Sequence, residues 1–143
     1  MEKIVERYQD LYFYIKSKLN TNIVLNLEKS EYVDDFEITG EYKNKNLSIR
    51  DLENDSLVLD YDGKIDDLEN TIVPMLSEYL GKNPICRYDV VDFQSLNRLT
   101  YRVEWNEERL DEIKDNNIID NLTIVRNIYL YDKEKDKELI KKW

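Results

Sequence analysis

Ten residues, Asp60-Tyr-Asp-Gly-Lys-Ile-Asp-Asp-Leu-Glu69, carry five carboxylates around a glycine. A twelve-residue calcium loop takes ligands from positions one, three, five, seven, nine and twelve, with Gly at six for its sharp turn and an apolar side chain at eight. Aligned on Gly63, the residues Asp60, Asp62, Asp66 and Glu69 fall at three, five, nine and twelve, and Ile65 falls at eight. Position one falls on Val58, whose side chain cannot ligate. Ser56-Leu-Val-Leu59 alternates as a strand where the calcium motif requires an entering helix. Without a metal, the same letters read as a strand ending at Tyr61, a turn at Asp62-Gly63, and a helix capped by Asp66 with Glu69 three residues on. That reading is preferred, and no metal or other cofactor is expected.

Other reaction chemistry is sparse. The chain has no His and one Cys, which excludes Ser-His-Asp and Cys-His catalysis, Cys/His zinc sites and an internal disulfide within one subunit. Gly40, Gly63 and Gly81 are isolated, so no glycine-rich phosphate loop exists. Cys86, between Ile85 and Arg87 in a predicted strand, reads as a buried small hydrophobe. Cysteine usage points to a reducing compartment. The charged start and short apolar runs show neither a signal peptide nor a membrane span, so the cytoplasm is the expected location. Glu41-Tyr-Lys43 resembles the Glu-x-Lys half of the metal-dependent nuclease signature in restriction-endonuclease-like folds. The resemblance covers three residues and implies a carboxylate-based, metal-dependent hydrolase or nuclease. That family also places an Asp on the preceding strand, whereas Asp34 and Asp35 begin the same strand here.

Charge says more. The formal net charge is −10, and residues 51 to 70 hold eight acids against Lys64 alone, a local −7. Such a field repels phosphate backbones and anionic lipid, and attracts basic surfaces over about 8–10 Å at physiological salt. Asp51, Glu53, Asp55, Asp60, Tyr61, Asp62 and Asp67 are therefore the candidate partner-binding residues. Eleven Tyr residues are present. Tyr8, Tyr12 and Tyr79 fall on apolar helix faces, while Tyr32, Tyr42, Tyr61 and Tyr88 lie near acids, where an exposed ring offers contact area at low entropic cost.

The elements that must position these groups follow from periodicity. Val5, Tyr8, Leu11, Tyr12, Ile15 and Leu19 recur at three- and four-residue intervals and predict a first helix. The period then falls to two. Ile23, Leu25 and Leu27 alternate with Val24, Asn26 and Glu28, and Phe36, Ile38, Gly40 and Tyr42 with Glu37, Thr39 and Glu41. Turn signals at 43–46 and 53–55 lead into two further strands, completing an antiparallel meander of about four. Leu68, Ile72, Leu76, Tyr79 and Leu80 predict a central helix ended by Gly81, with Pro74 expected to kink it or mark its start. Residues 85–93 and 99–105 predict a second hairpin, Asn106 caps a short helix through Lys114, and 122–131 reads as a strand, although Ile118, Leu122, Val125 and Tyr129 would also suit a helix. The tail, 133–143, reads as a polar helix. The fold class is α+β in one domain spanning 1–143.

The functional reading is a non-enzymatic acidic protein that occludes a basic site on a partner such as a toxin, nuclease or effector, as toxin-immunity, anti-restriction and anti-CRISPR inhibitors do. Direct nucleic-acid and membrane binding are not expected. The order helix, strands, helix, two strands, helix is also similar to that of class I type III secretion chaperones. That resemblance implies an acidic homodimer.

Overall fold

The computed structural model describes residues 2–29, 34–92, 98–115, 118–120, 123–131 and 138–141. Helix α1 (Glu2–Leu19) is followed by β1 (Ile23–Lys29), β2 (Asp34–Tyr42), β3 (Lys45–Arg50) and β4 (Val58–Tyr61). A continuous helical run comes next: α2 (Ile65–Asp67), a π-helical turn (Leu68–Ile72) and α3 (Val73–Leu80). The remainder is β5 (Cys86–Asp92), β6 (Arg98–Glu104), α4 (Glu108–Asp115), β7 (Ile118–Asp120), β8 (Thr123–Leu130) and β9 (Glu138–Lys141).

The architecture is α+β, as expected, with the sheet dominating. β1 to β4 form the anticipated meander, joined between β2 and β3 by Lys43 and Asn44 at φ 52° and 65°. Positive φ at both central residues gives the turn type whose twist matches that of the strands. The second hairpin is not separate. β6 pairs with β4, so all described strands join one antiparallel sheet in the order β1-β2-β3-β4-β6-β5-β8-β7, with β9 also on β8. Asn127, at φ 47°, is the extra residue where the β5–β8 register shifts after Tyr88.

Two apolar clusters lie on opposite faces. Alternation sends Leu47, Ile49, Leu59, Tyr61 and Val103 beneath α1 and α3, where they meet Tyr8, Leu11, Ile15, Ile72 and Leu76. On the other face, Cys86, Tyr88, Val90, Val125 and Ile128 pack against Ile113 of α4. Each fully buried aliphatic side chain contributes roughly 1.5–3 kcal/mol. Trp105 is fully buried, and its indole N–H donates to the Lys82 carbonyl at 3.1 Å.

Several expectations need correction. The central helical run begins at Ile65, ahead of Pro74, and Pro74 stands in the first turn of α3, where the run passes from π to α. Pro74 has no N–H to give the carbonyl of Asn70, and the helix widens just ahead of it, with the Val73 N–H bonding to the Leu68 carbonyl five residues back. The run does end at Gly81, at φ 67°. Asp66 is not the cap. The helix starts at Ile65 after Lys64, and no side chain caps it. Asn106 does cap α4, accepting the Glu108 N–H at 3.0 Å. In the tail, residues 138–141 form a strand against β8 instead of the expected helix, and 133–137 and 142–143 lie outside the described residues. Strands at that end also depart from the chaperone-like element order. No described helix is long and apolar enough to cross a membrane.

Candidate functional site

The expected acidic stretch is dispersed by the fold. Asp51, Glu53 and Asp55 stand exposed on the β3–β4 loop, which the Tyr8 hydroxyl of α1 holds by accepting the Leu52 N–H at 3.0 Å. Asp60 faces the opposite side of the sheet. There its carboxylate takes Arg102 through both oxygens, at 2.7 and 3.0 Å, and Arg50 at 2.8 Å. Burial opposes its charge, but the two guanidiniums outweigh that and hold its carboxyl below the usual range. Asp62 closes the neighbouring hairpin by accepting the Asn46 N–H at 2.6 Å. Asp67 ion-pairs with Lys43 at 2.7 Å, and Glu69 accepts Arg87 at 2.9 Å and the Tyr131 hydroxyl at 2.6 Å.

Asp60, Asp62, Asp67 and Glu69 of the calcium-like stretch thus turn to separate protein partners, and Asp66 stands exposed. Tyr61 is corrected as a surface residue: it is fully buried, donates its hydroxyl to the Tyr42 carbonyl at 3.0 Å, and lies so close over Gly63 that a Cβ there would collide with its ring. Burial, followed by the charge of Asp67, pushes its hydroxyl up to about 12. Tyr88 is likewise buried and Tyr42 half-buried, while Tyr32 lies outside the described residues. The nuclease-like triplet is also separated from its acid. Asp35 and Glu41 lie six residues apart along β2, roughly 20 Å in an extended strand, and Lys43 sits in the turn.

Strand register reveals a different surface. Side chains on the face away from α1 line up in rows: Val24, Thr39, Ser48, Asp60, Arg102 and Tyr88 in one, and Asn26, Glu37, Arg50, Val58, Glu104 and Cys86 in the next. The α4 end of these rows is covered. Over β1 to β3 the rows are open, and Glu28, Asp35, Glu37 and Glu41 stand there exposed or half-exposed. Among the described residues none of these four acids is in an ion pair. A hollow of about 200 Å³ at the margin of this face is lined by Asn46, Ser48, Asp60, Asp62 and Thr100. The sequence reading did not group these acids, although Glu37, Thr39 and Glu41 were already visible as the polar phase of a strand.

A ladder of charge separates the open region from the covered one. Beyond Asp60 and Arg102 it continues through the Tyr88 hydroxyl, which donates to Glu104 at 2.7 Å, to Arg109 of α4, 3.6 Å from the same carboxylate. Glu104 is fully buried and its Oε1 has no hydrogen-bond partner among the described residues. Its desolvation outweighs the help of Tyr88, Arg109 and Arg102, so its carboxyl is pushed above the usual range. A larger cleft, about 700 Å³, lies elsewhere, between the end of α3 and the start of α4, with Glu78, Lys82 and Glu107 on its walls. No family model, curated protein or solved structure matches the chain.

Proposed function

We propose that this protein is a non-enzymatic binding module whose open acidic sheet face occludes a basic surface of a partner protein. The observation that carries this reading is the uncovered face of β1 to β3, where Glu28, Asp35, Glu37 and Glu41 project on one side while α1 packs the other. A rigid sheet holds these carboxylates at fixed spacing, so a complementary basic surface meets them with little ordering cost. The hollow beside Asp60 and Asp62 suits the tip of a Lys or Arg side chain. Asp51, Glu53 and Asp55, on their loop, contribute to the long-range field.

The test is a comparison of two charge-reversed proteins. One carries Asp35→Lys, Glu37→Lys and Glu41→Lys; the other carries Asp51→Lys, Glu53→Lys and Asp55→Lys. Pull-downs from the native host identify the bound protein, and association kinetics are then measured at several salt concentrations. The sheet-face variant is expected to lose binding, and the loop variant to slow association only. Equal retention by the folded sheet-face variant, or capture of an acidic partner, would overturn the reading.

A further inference from the structure

Strand β1 ends the sheet, and among the described residues nothing pairs with its outer edge. One hydrogen bond shows which backbone groups point outward. The Glu41 N–H donates to the Asn22 carbonyl at 3.2 Å, in the register that sets Ile23 opposite Gly40. Hydrogen-bonded pairs to β2 therefore fall at Asn22, Val24, Asn26 and Glu28. The N–H and C=O groups of Ile23, Leu25 and Leu27 point away. Exposed edges are usually blunted by proline, a bulge or an inward charge. Here β1 has no proline, its register to β2 is unbroken, and its core-facing phase is apolar from Ile23 through Leu25 to Leu27 before Lys29 ends the strand.

Apolar side chains flank this edge on both sides of the sheet. Val24, 64% exposed, stands beside it on the open face, and Phe13, 66% exposed, stands on α1, which packs over β1 and β2. Tyr14 orients that helix: its hydroxyl donates to the Met75 carbonyl at 3.2 Å and its ring meets Tyr79, so its side faces α3. Tyr12 lies about 160° around the helix from Tyr14, on the side away from α3, and Phe13 rests edge-on against it at 5.3 Å. The α2–α3 run lies toward β5, where Glu69 reaches Arg87, so Tyr12 is on the side above the β1 edge, while Phe13 stands on the outer side of the helix, opposite the buried Leu11 and Ile15, with its ring turned against Tyr12.

We propose that β1 pairs antiparallel with β1 of a second copy of this chain, giving a two-fold dimer with a sheet continuous across it. One register uses every outward group of Ile23, Leu25 and Leu27 on both copies: Leu25 opposite Leu25, and Ile23 opposite Leu27. It sets Val24 opposite Asn26 and Asn22 opposite Glu28, so no side chain faces a like charge. The two-fold axis is perpendicular to the sheet. Both α1 helices then lie on one side, with their Tyr12 sides facing each other, and both acidic faces lie together on the other. Because each chain carries −10, salt strengthens this dimer by screening repulsion.

The test is sedimentation equilibrium of the full chain from about 5 to about 500 μM at low and high salt. The average mass is expected to rise toward the dimer, more so at high salt. Phe13→Glu combined with Val24→Lys changes two exposed positions, and is expected to leave the melting temperature unchanged while weakening the dimer by roughly tenfold or more. Register is read by pairing Val24→Cys with Asn26→Cys. Opposed non-hydrogen-bonded residues place their Cα atoms about 4.5 Å apart, within disulfide reach, so mild oxidation should give a covalent dimer while buried Cys86 does not react. A monomer throughout, as expected if the edge serves only a foreign strand, would overturn the proposal. So would a dimer that survives the charged pair, or a cysteine pair that fails to cross-link.

Discussion

Asp60 and Glu104 sit on adjacent strands of one sheet face, both withdrawn from water, yet their proton affinities move in opposite directions. Asp60 meets two guanidiniums and titrates below its ordinary value of 3.8, despite burial; Glu104 has one hydroxyl and a more distant Arg109, and titrates above its ordinary 4.5, chiefly because of burial. The difference lies in partners, since both lose solvent. A carboxylate with both oxygens engaged stabilises a fold as an anion, whereas one with an unengaged oxygen makes the anion a liability.

The largest effect should come from breaking the better-paired side. Arg102→Met leaves Asp60 with Arg50 alone and is expected to cost about 2–4 kcal/mol in urea denaturation at neutral pH. A loss below about 1 kcal/mol would mean that Arg50 satisfies Asp60 by itself. The pH dependence sharpens the point. A depressed folded value gives stability that is present above 3.8 and is lost as pH falls through that folded value. Arg102→Met should diminish this acid-side loss.

Glu104→Gln should act with the opposite sign. Because its folded value is raised, the folded protein holds its proton more tightly, and stability falls as pH rises from 4.5 through the folded value. Gln keeps an acceptor for the Tyr88 hydroxyl without the buried charge. Neutral-pH stability is therefore expected to rise by up to about 1 kcal/mol and its decline above pH 4.5 to flatten. Destabilisation at neutral pH, with the decline intact, would show that Arg109 stabilises the anion more than desolvation opposes it.

The smallest effect should come from Asp66→Ala, within about 0.5 kcal/mol, because the residue is exposed and caps nothing. A loss near 1 kcal/mol in thermal unfolding would restore it as a cap.

These contrasts also mark what the letters could and could not convey. Parity along Leu57, Leu59 and Tyr61 already placed that tyrosine with the core, and its acidic neighbours obscured the signal. Asp66 looked like a cap because it precedes an apolar run. In the structure, Asp62 is held by Asn46 and Gly63 lies under the Tyr61 ring, leaving Lys64 as the last extended residue before the helix. The partners of Asp60 were not legible, since Arg102 arrives through the pairing of β4 with β6, forty-two residues along. The tail's polar composition suited a helix, but residues 138–141 instead occupy the open side of β8, a case of tertiary pairing overriding local preference.

The pairing of β4 with β6 bears on how the chain acquires its structure. Each strand from β1 to β4 bonds to its neighbour in sequence, whereas Val58 must find Glu104 and Tyr61 must find Tyr101. During synthesis the meander can form early. The far edge of β4 then stays unsatisfied until the second hairpin leaves the ribosome. Refolding should therefore proceed in two stages. Pulsed hydrogen exchange is expected to protect amides shared by β2 and β3 before those shared by β4 and β6, and simultaneous protection would show that the sheet closes in one cooperative step.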